Sequence, residues 1–183
     1  MRRAVFLDRD DTLIECRSAT ADTPHPGDLV DPLLVRLLPG AGPACAELAR
    51  AGFELVVVSN QGALAAGHAS LAQVEAVNDQ LRALIPQIKS CYFAPARPGG
   101  IVDRFLAHPQ WRKPNGEMLR IAARELSLDL STSWIIGDAG RDVEAGIEAG
   151  LPASHCLWIG PGGGGDFADL REAAAHILSA RRA

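Results

Sequence analysis

The chain has 183 residues, 48% hydrophobic and 22% charged, with a formal net charge of −4; these values suit one ordinary globular domain with a sizeable core. No large basic surface is expected, which argues against general nucleic-acid binding but leaves room for a local basic patch, and no apolar run approaches membrane-spanning length. Cys16, Cys45, Cys91 and Cys156 form no CxxC pair, and only four apolar residues follow Met1-Arg2-Arg3, so reduced thiols in a cytoplasmic protein without a signal peptide are expected.

Ala4-Val5-Phe6-Leu7 reads as a short buried strand, ended by Asp8-Arg9-Asp10-Asp11-Thr12. Residues 16–39 form a long connection containing Pro and Asp. Gly40 to Arg50 reads as a helix with Ala44, Leu48 and Ala49 on one face and Gly52 as its stop. Phe53 to Val58 is a nearly continuous apolar strand, the kind buried on both faces. Ser70 caps a helix running to about Ile85, and Ser90 to Ala94 is a third strand. A Pro/Gly-rich stretch, 95–116, precedes a helix over roughly 116–126. Trp134-Ile135-Ile136 is a fourth strand ending at Gly137-Asp138, with a helix over 141–149 behind it. His155 to Ile159 is a fifth strand, and the glycines at 162–165 lead flexibly to a last helix over about 167–181. Strands alternating with helices mean βαβ units and a mostly parallel sheet in an α/β domain spanning 1–183. The 16–39 and 95–116 segments are the expected cover over the strand ends.

Four constellations carry candidate chemistry. Asp8 and Asp10 follow the first strand, where open α/β sheets place their sites. A carboxylate pair there is costly unless solvated or bound to a cation, so the choice lies between a solvated turn and a metal-assisted site with a nucleophilic aspartate. Ser59-Asn60-Gln61-Gly62 offers a hydroxyl, amides and a close backbone approach suited to a phosphate oxygen, or else a capping turn. Arg112-Lys113-Pro114 offers a guanidinium fork and a point charge for a phosphoryl group, with Pro114 suited to a first helical turn, or else a solvated basic turn. Asp138 follows another buried strand as a candidate metal ligand, and Asp142, one turn later, would support that ligand shell or cap the helix. Three of the four follow an apolar strand and the other precedes a helix, positions that converge on one edge of a parallel sheet.

This ordered set resembles the haloacid dehalogenase superfamily of phosphohydrolases. Phe6-Leu7-Asp8-Arg9-Asp10, Leu38-Pro39-Gly40, Ser59-Asn60-Gln61 and Arg112-Lys113-Pro114 are similar to the motifs of its small cap-less branch. The resemblance implies a three-layer Rossmann-like fold with helices on both faces of the sheet and no large cap domain. It also implies a Mg²⁺-dependent phosphatase working through an aspartyl-phosphate on a small phosphorylated metabolite. A heptose bisphosphate is the first expectation, suggested by Gly27-Asp28-Leu29 through Leu38-Pro39-Gly40, and histidinol phosphate the second. By the same resemblance, Asp8 is the nucleophile and a Mg²⁺ ligand. Asp10 is the general acid/base and ligates through its main-chain carbonyl, and Asp138 completes the protein ligands. Ser59, Asn60 and Gln61 bind the phosphoryl group, Arg112 contacts substrate and Lys113 stabilises the phosphoryl group.

Three positions depart from the family pattern. Asp11 stands where Gly is usual, and Ala139 where a Lys often follows the last metal-ligand Asp. The third is the zinc loop of many relatives, whose four ligand positions read Cys91, Phe93, Pro109 and Trp111. One thiol of four makes no structural zinc site, so no zinc is expected, and packing of Ile101, Phe105 and Trp111 is expected to hold the 95–111 loop. Two other classes fit part of the pattern. A phosphoacceptor signalling module would place its acceptor on a central strand and its acidic pair on the first. A catalytically weak binding protein of the same fold would release no phosphate on addition of Mg²⁺.

Overall fold

The five apolar runs assemble into one parallel sheet in the computed structural model of the chain, which describes residues 2–160 and 164–180. The strands are β1 (Ala4–Leu7), β2 (Glu54–Asn60), β3 (Ile88–Ala94), β4 (Trp134–Gly137) and β5 (Cys156–Trp158). Their order is β3-β2-β1-β4-β5, with every neighbouring pair parallel. The chain winds outward from β1 through β2 to β3, then returns to lay β4 on the other side of β1. The strand order therefore reverses at the carboxyl end of β1, where doubly wound sheets open a crevice.

The helices are α1 (Ala41–Arg50), α2 (Ala63–Ala66), α3 (Leu71–Leu84), α4 (Glu117–Leu126), α5 (Gly140–Ala149) and α6 (Leu170–Ala180). Side chains alternate across the pleat and so build two cores. Val5, Leu7, Leu55, Val57 and Ile136 pack with α1, α3 and α6. Ala4, Phe6, Val56, Val58 and Ile135 pack with α4 and α5 on the opposite face. Three layers result, with no large cap over them. Ser70 starts α3 by a reciprocal capping box: its Oγ accepts from the Gln73 amide at 3.3 Å, and Gln73 Oε1 accepts from the Ser70 amide at 2.9 Å. All four cysteines are free, and no helix among the described residues is long and apolar enough to cross a membrane.

Several boundaries differ from the sequence reading. β2 runs two residues further, because Ser59 and Asn60 pair in register with Phe93 and Ala94 of β3. Ser59 and Asn60 thus end a strand instead of following one. Pro114 precedes α4 without entering its first turn; the helix starts behind Gly116, whose amide donates to the Glu148 carboxylate. His155 closes a 3-10 turn and stacks on Trp134 at 3.8 Å, so β5 begins at Cys156. Gly162 and Gly163 of the expected connection, and Arg181 of the last helix, lie outside the described residues.

The 95–111 loop is held differently from expectation. Ile101 is 77% exposed, and its main chain does the anchoring: the amides of Ile101 and Val102 both donate to the Ala65 carbonyl, at 2.7 and 3.1 Å. Trp111 does pack against the α4/α5 core and stacks on His108.

Candidate active site

Asp8 leaves β1 at the reversal of strand order, and its amide is held by the Ile136 carbonyl at 3.0 Å. β2 and β4 flank it, so the end of β2 brings Ser59 and Asn60 to the same edge and the end of β4 brings Asp138. Lys113 enters from the connection before α4 and is wholly buried, with its Nζ 2.8 Å from Asp8 Oδ1, 2.6 Å from Asp142 Oδ1 and 2.7 Å from the Val58 carbonyl. Burial alone would lower the Lys113 pKa; the carboxylates of Asp8 and Asp142 outweigh it, and the pKa is raised.

Asp142 serves two neighbours at once. Its Oδ1 faces Lys113, and its Oδ2 accepts from the Ala139 amide at 3.2 Å, closing the first turn of α5. Gly137 is what lets it fold back over the end of β4, since a Cβ there would lie 2.3 Å from Asp142 Cγ. Burial pushes the Asp142 pKa up to about 6 against the pull of Lys113.

Asp8, Asp138 and Asp142 bring one carboxylate oxygen each within 4.8 Å of one another. Lys113 and the Ala139 amide engage both Asp142 oxygens, which leaves Asp8 and Asp138 as the remaining pair. Asp138 Oδ2 accepts from Arg17 at 2.6 Å, whereas its Oδ1 is buried with no hydrogen-bond partner. Burial, then the charge of Asp8, raises the Asp138 pKa. An unpartnered buried carboxylate oxygen beside a second carboxylate is the donor set a hard divalent cation seeks.

Asp10 is held from below. Arg9, fully buried, forks onto it with Nε to Oδ1 at 2.9 Å and Nη2 to Oδ2 at 3.1 Å. Arg9 also donates to Asn78 and Gln61, and Gln61 Nε2 donates to Asp10 Oδ2 at 2.8 Å and to Ser59 Oγ at 2.8 Å. Gln61 therefore links Ser59 to Asp10. Asn60 clasps the main chain of Lys113, donating to its carbonyl and accepting from its amide, both at 3.0 Å. Its amide group thus fixes the cation's position. Arg112 donates from Nη1 to the Ala96 carbonyl at 3.0 Å.

Sequence reasoning gave no role to Arg9, which stands between two carboxylates, or to Arg17, which has no motif around it. Asp11 accounts for Arg17. It sits at φ 59°, the left-handed region that explains the usual Gly and that Asp tolerates. Its carboxylate accepts from the amides of Cys16 and Arg17 at 3.0 and 3.1 Å and lies 3.2 Å from Arg17 Nε. It therefore organises the following turn and aims Arg17 at Asp138. Asp11→Gly keeps the backbone free but removes these acceptors, at about 1–2 kcal/mol. Asp11→Ala adds about 1 kcal/mol of left-handed strain. Urea midpoints at unchanged slope check the order Asp, Gly, Ala.

The chain is similar to known proteins along most of its length. A HAD-hydrolase-like family model matches residues 110–158. A D-glycero-beta-D-manno-heptose-1,7-bisphosphate 7-phosphatase of Mesorhizobium japonicum is 37% identical over 155 residues, 81% of this chain and 66% of the relative, just under two thirds. A D-glycero-D-manno-heptose-1,7-bisphosphate 7-phosphatase of Thermosynechococcus vestitus is 34% identical, covering 81% of this chain and 76% of its own length. Among solved structures, a D,D-heptose 1,7-bisphosphate phosphatase from B. bronchiseptica complexed with magnesium and phosphate superposes with a TM-score of 0.76 at 25% identity, over 97% of this chain and 99% of that one. A HAD-like phosphatase from Mesorhizobium loti gives a TM-score of 0.76 at 30% identity, over 98% and 85%.

Proposed function

The chain belongs to the haloacid dehalogenase-like hydrolases and is a phosphatase, and on that premise we propose that it removes one phosphate from a heptose 1,7-bisphosphate through an aspartyl-phosphate on Asp8. What carries the reading is the meeting of Asp8, the buried Lys113 and an Asp138 Oδ1 that accepts no hydrogen bond, at the carboxyl ends of β1 and β4.

Asp8 attacks phosphorus in line. The P–O bond to the sugar breaks, and Asp10, as general acid, delivers a proton to the departing oxygen. Water then attacks the same phosphorus and gives its proton to Asp10; the Asp8 carboxylate leaves and inorganic phosphate is free. Arg9 and Gln61 hold Asp10 in one orientation through both halves. Lys113 lies against Asp8, where its charge balances the equatorial oxygens of the transferring group. Ser59 lines the end of β2 beside that group, and Asn60 keeps Lys113 in register. Asp8, Asp138 and the Asp10 main-chain carbonyl would hold Mg²⁺. Bound there, it neutralises charge between the anionic nucleophile and the anionic ester.

The test is phosphate release with Mg²⁺ on both anomers of the heptose bisphosphate, on histidinol phosphate and on a few sugar phosphates. A clear preference in kcat/KM for one heptose bisphosphate is expected. Faster release from histidinol phosphate would replace the substrate, and no Mg²⁺-stimulated release from any ester would sink the reading.

A further inference from the structure

Asp138 leaves the end of β4 with one carboxylate oxygen held and the other free. Its Oδ2 accepts from Arg17 Nη2 at 2.6 Å, and its buried Oδ1 accepts no hydrogen bond among the described residues. Its main chain is fixed as well, since Trp158 Nε1 donates to the Asp138 carbonyl at 3.0 Å. The next residue, Ala139, has no side-chain donor, so the cation on Oδ2 comes from the segment after β1, 121 residues earlier. Arg141, in the first turn of α5, approaches Oδ1 only to 3.6 Å, beyond hydrogen-bond distance.

The Arg17 side chain is 70% exposed, whereas that of Asp138 is 7% exposed. An ordinary surface ion pair gains little over the entropy it costs, so a long exposed side chain stays on one partner when a second group holds it. Asp11 is that second group. Its carboxylate is pinned by the amides of Cys16 and Arg17 at 3.0 and 3.1 Å and lies 3.2 Å from Arg17 Nε. One planar guanidinium therefore bridges two carboxylates with separate nitrogens, Nε towards Asp11 and Nη2 to Asp138, a geometry that a point-like ammonium does not reproduce. Asp11, Arg17 and Asp138 also line one cavity of about 280 Å³.

A carboxylate with two free oxygens can rotate, and the charge of Asp8 nearby would turn it away. With Oδ2 anchored, Oδ1 is the oxygen left for a ligand. We infer that Arg17, aimed by Asp11, is a positioning residue for the divalent cation: it fixes Asp138 so that Oδ1 stands ready beside Asp8. This rests on the reading above that Asp8 and Asp138 hold Mg²⁺. Groups that orient a metal ligand from outside set affinity by about 10–100-fold. Charge alone acts in the opposite sense, because a guanidinium near the site repels a divalent cation. The sign of the change on removing Arg17 therefore separates orientation from repulsion.

Calorimetric titration of the full chain with Mg²⁺, in the absence of any ester, tests this. Arg17→Met is expected to raise the dissociation constant about tenfold. Arg17→Lys keeps the charge but reaches one carboxylate at a time, and should lie between Arg17→Met and the parent. Asp11→Gly should also weaken binding, and Arg17→Met/Asp11→Gly should bind no more weakly than Arg17→Met alone, because Asp11 acts through Arg17. At saturating Mg²⁺ the kcat of Arg17→Met should stay within about twofold of the parent's, since the bound ion itself then holds Asp138 in place. An unchanged or smaller dissociation constant in Arg17→Met overturns the inference, and so do additive losses in the double variant. Weakened binding in Arg17→Met, with a parent that hydrolyses no ester, would fault the reaction and leave the role of Arg17 standing. A parent that binds no Mg²⁺ overturns the inference together with the metal reading.

Discussion

Asp8→Asn is expected to reduce phosphate release by more than about 10⁴-fold, the scale at which loss of a nucleophile is felt, while leaving the fold intact. The neutral amide occupies the same volume and cannot form the acyl phosphate. Stability should not suffer. Asp8, Asp138 and Asp142 crowd within 4.8 Å, and Lys113 is the one ammonium shared between Asp8 and Asp142. Removing one of three carboxylates relieves repulsion in a buried site. A urea midpoint equal to or above the parent's, together with lost turnover, is the expected pair of results. Substantial turnover by the variant would remove Asp8 from the chemistry.

Lys113→Met is expected to damage both stability and rate. The Lys113 side chain is 0% exposed and sits between two carboxylates that are themselves 4% and 0% exposed. Deleting the ammonium leaves Asp8 and Asp142 facing each other without a cation. Breaking a buried pair in this way costs about 3–5 kcal/mol. Asp142→Asn in the same chain should return part of that loss, because Asn still accepts from the Ala139 amide and carries no charge. Denaturation of the two single variants and the double variant gives the coupling, expected at about 1 kcal/mol or more. Activity should separate from stability: Lys113→Met lowers kcat about 10²–10³-fold, as loss of one group stabilising transition-state charge does. The double variant stays slow although more stable. Recovery of kcat along with stability would reduce Lys113 to a structural role.

The sheet was legible because each of its strands is a short apolar run bounded by turn residues, and the larger helices because their apolar positions recur at helical spacing. α2 was not, since four residues, Ala63-Leu64-Ala65-Ala66, are too few to show a period. The end of β2 was misread because its last two residues are polar. Ser59 and Asn60 look like a loop until β3 supplies partners for them.

Within the site, the residues directly behind β1, β2 and β4 could be found from the sequence, because topology carries the ends of parallel strands to one edge. Their supports could not. Arg9 is a fully buried cation whose four bonds run to Asp10, Asn78 and Gln61, and nothing local marks it as buried. Asp11 looked like an intrusion on a glycine position; only its φ of 59° and its two accepted amide bonds show it to be a turn organiser. Arg97, Arg112 and Arg141 line one cavity only through tertiary structure. Ile101 misled for the opposite reason: a large apolar side chain suggested packing, while the loop is held by its main chain.

The most direct test of the Asp8 chemistry is a rapid-quench single turnover with the heptose bisphosphate and Mg²⁺, followed by acid trapping and peptide mass mapping. One phosphoryl group should rise and decay on the peptide containing Asp8, at a rate fast enough to carry turnover. Release of inorganic phosphate with no protein-bound phosphoryl group at any time would contradict the role given to Asp8.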